Sequence, residues 1–308
     1  MAPEAPSTFV IVNPASAGGS TAAFWPQASS ALRNAGIRFD HAFTAHRGHA
    51  VELATTAGRS EYQVLLYVGG DGTANEVANG LLQIPAARRP ALAALPRGSG
   101  GDFPKALGLR RGVEAAIDRL RRGRRTRIDV AHSRFLGFDQ QPTERAFINV
   151  ADAGLGGHVT ERVNKSHKPL GGTIAFLEAI VSSFWAYENI PMTIKIDGAT
   201  VHTGPVATAV VANGSYFGGG VKIAPAATPD DGVLDIVVVG DINKLDLITQ
   251  LPRIYRGTHV RHPKVSTYRG REIVVDAAKP LPLDLDGEFP GFGPFHVRLE
   301  PAALEVIT

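Results

Sequence analysis

The apolar run Val64-Leu65-Leu66-Tyr67-Val68 ends abruptly in Gly69-Gly70-Asp71-Gly72-Thr73-Ala74-Asn75-Glu76 and reopens as a helix-like segment reaching Leu82. A buried strand that breaks at glycines and restarts as a helix leaves backbone N–H groups unpaired and converging on one spot, which suits an anion such as phosphate. The glycines permit positive φ and close approach, and Asp71 adds a carboxylate where phosphates would bring a divalent cation. Taken alone, such a turn is also an ordinary strand-to-helix connection, so its context has to decide.

That context is a repeated alternation. Thr8–Asn13 reads as a strand, Ala22–Ala35 as a helix stopped by Gly36, Arg38–Phe43 as a strand and Gly48–Ala57 as a helix. Val64–Val68, Ala74–Leu82 and Ala91–Leu95 continue as strand, helix and strand. Such βα alternation predicts a doubly wound parallel sheet covered by helices, whose ligands bind beyond the carboxyl ends of the strands. Three glycine-rich turns fall at such ends: Asn13 to Gly19, Gly69 to Thr73, and Pro96 to Asp102.

Beyond a cluster of arginines (Arg119, Arg121, Arg122, Arg124, Arg125 and Arg127) the pattern changes. Short β-branched runs follow at Arg127–His132, Ala146–Ala151, Met192–Ile196, Pro205–Ala212, Val233–Val239, Glu272–Asp276, Leu281–Asp286 and Phe295–Leu299. Many strands with few helices predict an antiparallel sandwich. Two helical segments interrupt it, Gly172–Tyr187 with an apolar stripe and Asn243–Tyr255. The expected organisation is an α/β domain over 1–126 and a β-rich domain over 127–308, and a chain of 308 residues is long enough for both cores.

Composition removes several classes of function. With no cysteine there is no disulfide, thiolate ligand or cysteine nucleophile, which fits a reducing cytoplasm. The N-terminus carries no secretory pattern, and no run approaches the roughly 20 apolar residues of a spanning helix, so membrane contact is expected to be peripheral. The formal charge of +3 is concentrated in the arginine cluster, which reads either as steering toward an anionic surface or as cations at a helix C-terminus. His46 and His49 are spaced for one helical face, but two histidines without a third ligand make a poor zinc site.

Five segments occur in the order seen in the diacylglycerol kinase catalytic family: Asn13-Pro14-x-Ser16; Gly69-Gly70-Asp71-Gly72-Thr73-x-Asn75-Glu76; Pro96-x-Gly98-Ser99-x-x-Asp102-Phe103; Gly218-Gly219-Gly220 through Asp231-Gly232-Val233-Leu234-Asp235; and Asp286-Gly287-Glu288. The chain resembles that family over nearly its whole length. The Gly-Gly-Asp-Gly-Thr core is shared with NAD kinases. Ala17 stands where the family usually has glycine, and Gly101 where it usually has asparagine.

The resemblance implies an ATP- and magnesium-dependent kinase for diacylglycerol or a related lipid; a bilayer surface is the expected further partner, no nucleic acid is expected, and a homodimer is left open. It implies nucleotide contacts from Asn13, Pro14, Ala15, Ser16 and Ala17, from Gly69, Gly70, Asp71, Gly72 and Thr73, from Ser99, and from Thr44, which reads equally as a helix cap. Asn75 and Glu76 are expected to hold the second loop in shape. Asp286 resembles the general base, with Glu288 orienting it or helping to hold magnesium, and Asp71 is a rival base. As an isolated pattern, Asp286-Gly287 is also a hairpin turn. Asp230, Asp231 and the Val233 carbonyl resemble a second, structural magnesium site. A kinase of a soluble alcohol and a regulator without turnover are the alternatives.

Overall fold

The computed structural model describes residues 7–98, 100–165, 185 and 187–308. In chain order the elements of the first half are β1 (Thr8–Val12), α1 (Ser20–Asn34), β2 (Phe39–Phe43), α2 (His49–Gly58), β3 (Val64–Gly69), α3 (Asp71–Leu82), β4 (Ala91–Pro96), α4 (Asp102–Ala106) and α5 (Val113–Arg122). Then come β5 (Arg125–Leu136), β6 (Pro142–Phe147), β7 (Val150–Gly154), α6 (Leu155–Lys165), β8 (Ile190–Ile196), β9 (Ala199–Val206) and β10 (Thr208–Ala212). The last are β11 (Leu234–Val239), α7 (Lys244–Arg256), β12 (Val265–Gly270), β13 (Glu272–Ala277), β14 (Leu283–Leu285) and β15 (Phe292–Ile307). The chain divides into two compact units. One comprises Met1–Val130, Pro229–Asp231 and Glu300–Thr308, the other Ala131–Thr228 and Gly232–Leu299.

The first unit is an α/β domain. Its strands run parallel in the order β2-β1-β3-β4, and Val306 near the end of β15 pairs in parallel with Leu92 of β4. Alternate residues of β1, β3 and β4 (Val10, Val12, Leu66, Val68, Ala93, Leu95) meet Trp25, Ala28 and Leu32 of α1 and Val113 and Ala116 of α5. The other sheet face carries α2 and α3, which pack beside each other. Burial on both faces explains why these strands read as continuous apolar runs. The chain order reverses between β1 and β3, so the loops leaving these two strands feed helices on opposite faces and open a crevice at their carboxyl ends.

The second unit is an antiparallel β-sandwich. One layer is β12-β11-β10-β7-β14, and the other includes β9, β8, β13 and the first half of β15. Between them lies a core that includes Phe147, Ile194, Val211, Ile236, Leu283, Leu285, Val275 and Phe295, all buried. Each such side chain contributes roughly 1.5–3 kcal/mol through burial, so the core, not any single polar contact, sets the stability of this unit.

The sequence-based elements hold with specific corrections. Ala146–Ala151 is two strands, because Ile148 and Asn149 turn the chain between β6 and β7. Pro205–Ala212 likewise spans the end of β9 and the whole of β10. Helices α4 and α6 and strand β12 were not expected as elements, and of α5 only the cationic C-terminal end was. The helix at Asn243–Tyr255 is α7, with Asn243 as its cap: its Oδ1 accepts the Asp246 N–H at 2.8 Å. The apolar stripe assigned to Gly172–Tyr187 lies outside the described residues except for Trp185 and Tyr187.

The arginine cluster is tied down within the first unit. Arg119 is buried and donates to the carbonyls of Arg110 (2.7 Å) and Ala94 (2.8 Å), and burial lowers its pKa. Arg121 donates to the Ala35 carbonyl at 2.6 Å, Arg122 pairs with Asp118, and Arg125 and Arg127 share Glu305. Arg119, Arg121 and Arg122 occupy the last turn of α5, where cations complement the helix dipole. Helix termination and internal pairing thus employ Arg119, Arg121, Arg122, Arg125 and Arg127 within this unit, and Arg122 and Arg127 stay largely exposed.

Candidate active site

Three loops meet at the carboxyl ends of β1, β3 and β4. The first is fastened to the second by Asn13, whose Nδ2 donates to Thr73 Oγ1 at 2.9 Å, while its Oδ1 accepts the Ala15 N–H at 3.1 Å. Ser16 Oγ donates to the Asn13 carbonyl at 2.8 Å and lies 2.7 Å from Thr21 Oγ1, closing the loop on the start of α1. Ala17, Gly18 and Gly19 all have positive φ, so alanine at 17 is carried at some backbone cost in a conformation that glycine takes freely.

The second loop uses its glycines differently from the expectation. Gly69 and Gly70 do not take positive φ; a Cβ at Gly69 would lie 2.5 Å from Thr73 Oγ1, so the requirement is close approach. Asp71 opens α3 and clamps the third loop: its Oδ2 accepts the Gly101 N–H at 2.8 Å and its Oδ1 the Phe103 N–H at 3.1 Å. Glu76, one turn further on, does the same for α2, accepting the N–H groups of Gly48 (2.9 Å) and Ala50 (3.1 Å). Two carboxylates of one helix thus cap the starts of two neighbours, where negative charge meets the positive helix end. The cap of α2 is Gly48, assisted by Glu76, and not Thr44, whose N–H donates to the Val12 carbonyl. Asn75 is fully buried beside Asn79.

In the third loop Gly101 has φ 66 and ψ 40, the left-handed region that glycine and asparagine tolerate best. Replacement of the family's asparagine by glycine therefore preserves the backbone. The Arg111 guanidinium stands 3.6 Å from where a Cβ at 101 would be and donates to the Gly98 carbonyl at 2.5 Å. Ser99 lies outside the described residues.

Asp286 and Glu288 lie in the second unit. Asp286-Gly287 is the tip of a tight hairpin between Leu285 and Glu288, with both φ positive (51 and 85), so the turn reading holds as geometry. The tip is also built around a carboxylate: Asp286 accepts N–H groups from Ile148 (2.9 Å), Asn149 (3.0 Å) and Val150 (2.9 Å). Glu288 pairs with Arg145 at 2.7 Å. Behind the tip, Asp284 of β14 stands opposite Asp152 of β7. Burial pushes Asp284 up to about 7 and Asp152 up to about 6, and in each case the hydrogen bonds from Thr160 or Thr208 and from backbone N–H groups pull the other way. Sequence reading missed this pair. Its only signal was an aspartate between two core leucines of a short apolar strand, Leu283-Asp284-Leu285, on the opposite face of the sheet from them.

Asp230 and Asp231 are exposed, and Val233 is partly buried. Two carboxylates and a carbonyl are the oxygen donors that magnesium takes, so their chemistry fits a structural ion. Arg271 already donates to the adjacent Gly232 carbonyl at 2.8 Å, and no group of three His, Cys, Asp or Glu gathers as a metal site among the described residues. His46 and His49 stack at 4.9 Å, and His49 Nδ1 accepts the Ala45 N–H.

A parallel α/β unit with glycine loops at its strand ends, followed in the chain by a β-sandwich unit, defines a kinase-type class, and comparison with known proteins makes it specific. Residues 7–133 match the model of the diacylglycerol kinase catalytic domain, and residues 149–308 that of the YegS C-terminal NAD kinase beta sandwich-like domain. The chain belongs to the diacylglycerol kinase catalytic family. It is similar to the diacylglycerol kinase of Staphylococcus carnosus (strain TM300), 27% identical over 299 residues, covering 97% of this chain and 94% of that one. The diacylglycerol kinase of Staphylococcus aureus (strain bovine RF122 / ET3-1) is 29% identical over 282 residues, 92% and 86% of the two chains. A crystal structure of a diacylglycerol kinase from Bacillus anthracis str. Sterne shares the fold, with a TM-score of 0.76 at 22% identity, covering 99% of this chain and 98% of that one.

Proposed function

We propose that the chain transfers the γ-phosphate of ATP to the free hydroxyl of diacylglycerol or a related lipid. What carries the reading is the fastening of three strand-end loops to one another through Asn13, Thr73 and Asp71, in a member of a kinase family. Phosphoryl transfer depends mainly on alignment and charge neutralisation, because its transition state is loose. In this reading the N–H groups of the Asn13 to Ala17 loop and of Gly69 to Thr73 cradle the phosphates, with Thr44 and Ser99 at the nucleotide. Magnesium arriving with the nucleotide neutralises phosphate charge. Asp230, Asp231 and the Val233 carbonyl are donors for a separate structural ion.

Asp286 accepts the proton of the lipid hydroxyl. Its bonds to three successive backbone N–H groups orient the carboxylate before any acceptor arrives, and Glu288, paired with Arg145, steadies the hairpin. Asp71 is the rival, but both its oxygens serve the third loop, which favours a shaping role. The lipid is met at a bilayer surface from the cytoplasmic side; no helix among the described residues is long and apolar enough to cross a membrane. Incubation with labelled ATP and a panel of lipids and soluble alcohols, resolved by thin-layer chromatography, tests the assignment. A phosphorylated lipid is expected. A soluble product supports the NAD kinase-like alternative, and bound nucleotide with no product marks a regulator.

A further inference from the structure

Arg97 follows the last residue of β4, and its side chain is held in place without a counter-charge. The guanidinium lies over the Phe24 ring, 4.2 Å from its centroid, and Nη2 donates to Ser20 Oγ at 3.3 Å. The main chain of the same residue joins the second and third loops, its N–H donating to the Gly69 carbonyl at 2.6 Å. Its carbonyl lies 3.6 Å from where a Cβ at Gly70 would be. Nε is buried with no hydrogen-bond partner, and among the described residues no carboxylate pairs with this arginine.

The other arginines nearby are differently employed: Arg111 and Arg119 spend their donors on backbone carbonyls, and Arg121 on the Ala35 carbonyl. Two acidic side chains at the crevice are employed too, Asp71 on the third loop and Glu76 on α2. Arg97 is therefore a fixed positive charge with unused donor capacity, placed where the loops meet. A stacked guanidinium has already lost much of the rotamer freedom that binding would otherwise cost, and its planar fork matches the oxygens of a phosphate.

We infer that Arg97 is a phosphate-binding residue of this crevice, its guanidinium contacting the polyphosphate of the nucleotide. The inference rests on the kinase reading and adds to it a residue that neither the glycine motifs nor their spacing marks. Titration calorimetry on the full chain with ATP tests it, using wild type, Arg97→Gln and Arg97→Lys, with the melting temperature of each unliganded protein as a control. Loss of a charge-assisted contact predicts ATP binding weaker by roughly 10- to 100-fold in Arg97→Gln, with Arg97→Lys, which keeps the charge but not the fork, falling between that variant and wild type. The salt dependence of ATP binding is expected to flatten in Arg97→Gln. Equal ATP affinity in wild type and Arg97→Gln overturns the inference. So does a lowered melting temperature of unliganded Arg97→Gln together with a salt dependence of ATP binding equal to that of wild type, since the residue would then serve only to pack against Phe24. A wild type that binds no ATP removes the kinase reading itself, and the inference with it.

Discussion

Replacing the Asp286 carboxylate by an amide exchanges one acceptor for a donor at a place where three N–H groups converge. In Asp286→Asn the amide oxygen can serve Asn149 and Val150, which leaves NH₂ facing the Ile148 N–H. An unsatisfied, part-buried donor costs about 1–3 kcal/mol, so this variant should melt lower than wild type while still binding ATP, and phosphate transfer should fall to background. Near-normal transfer would move the proton-accepting role elsewhere, first to Asp71. The pair behind it gives a second residue-scale expectation. Asp152 and Asp284 have pKa values raised to about 6 and about 7, above those of an unfolded chain, so between about pH 4 and 7 the folded state holds more protons than the unfolded one. Stability must then fall as pH rises through that window, and the loss is complete above it. Asp284→Asn keeps an acceptor for the Gly287 N–H and can donate to Thr160, so it should flatten the pH dependence of the melting temperature between pH 4 and 8. An unchanged slope would refute the assignment.

At the scale of elements, α3 organises the crevice. Its two outward carboxylates cap the starts of α4 and α2, so shortening either one loosens a neighbouring loop. Removing a helix cap costs about 0.5–2 kcal/mol, and Glu76→Ala should lower stability by that order and raise amide exchange at Gly48 and Ala50. Exchange there matching wild type would show that the contact is dispensable. The same elements show what was legible in the sequence. Strands of a parallel sheet are buried on both faces, so Thr8–Val12, Val64–Gly69 and Ala91–Pro96 stand out as apolar runs, and the glycine turns between them follow. β12 was missed because its pattern is half exposed, and α4 because five residues carry little helical period. The acidic and glycine positions of the site were visible by kind, but their partners were not. Nothing local says that Asp71 binds the N–H groups of Gly101 and Phe103, that Asp286 binds those of Ile148 to Val150, or that Arg97 stacks on Phe24, because each contact joins distant parts of the chain.

As a whole molecule, the chain combines an α/β unit with glycine loops at its strand ends and a β-sandwich unit with a carboxylate-tipped hairpin, which the proposed transfer assigns to the nucleotide and to the acceptor. Family membership fixes the reaction class, and the acceptor is the part that the account proposes. Apolar pockets separate acyl chains by only about 1–3 kcal/mol per methylene, so the choice of lipid has to be read from products rather than residue types. The most direct measurement is the rate of label transfer from γ-labelled ATP into vesicles whose diacylglycerol mole fraction is varied at constant total lipid. The account predicts a rate that rises with mole fraction and label that extracts with the lipid. Label remaining in the aqueous phase at every mole fraction would contradict it.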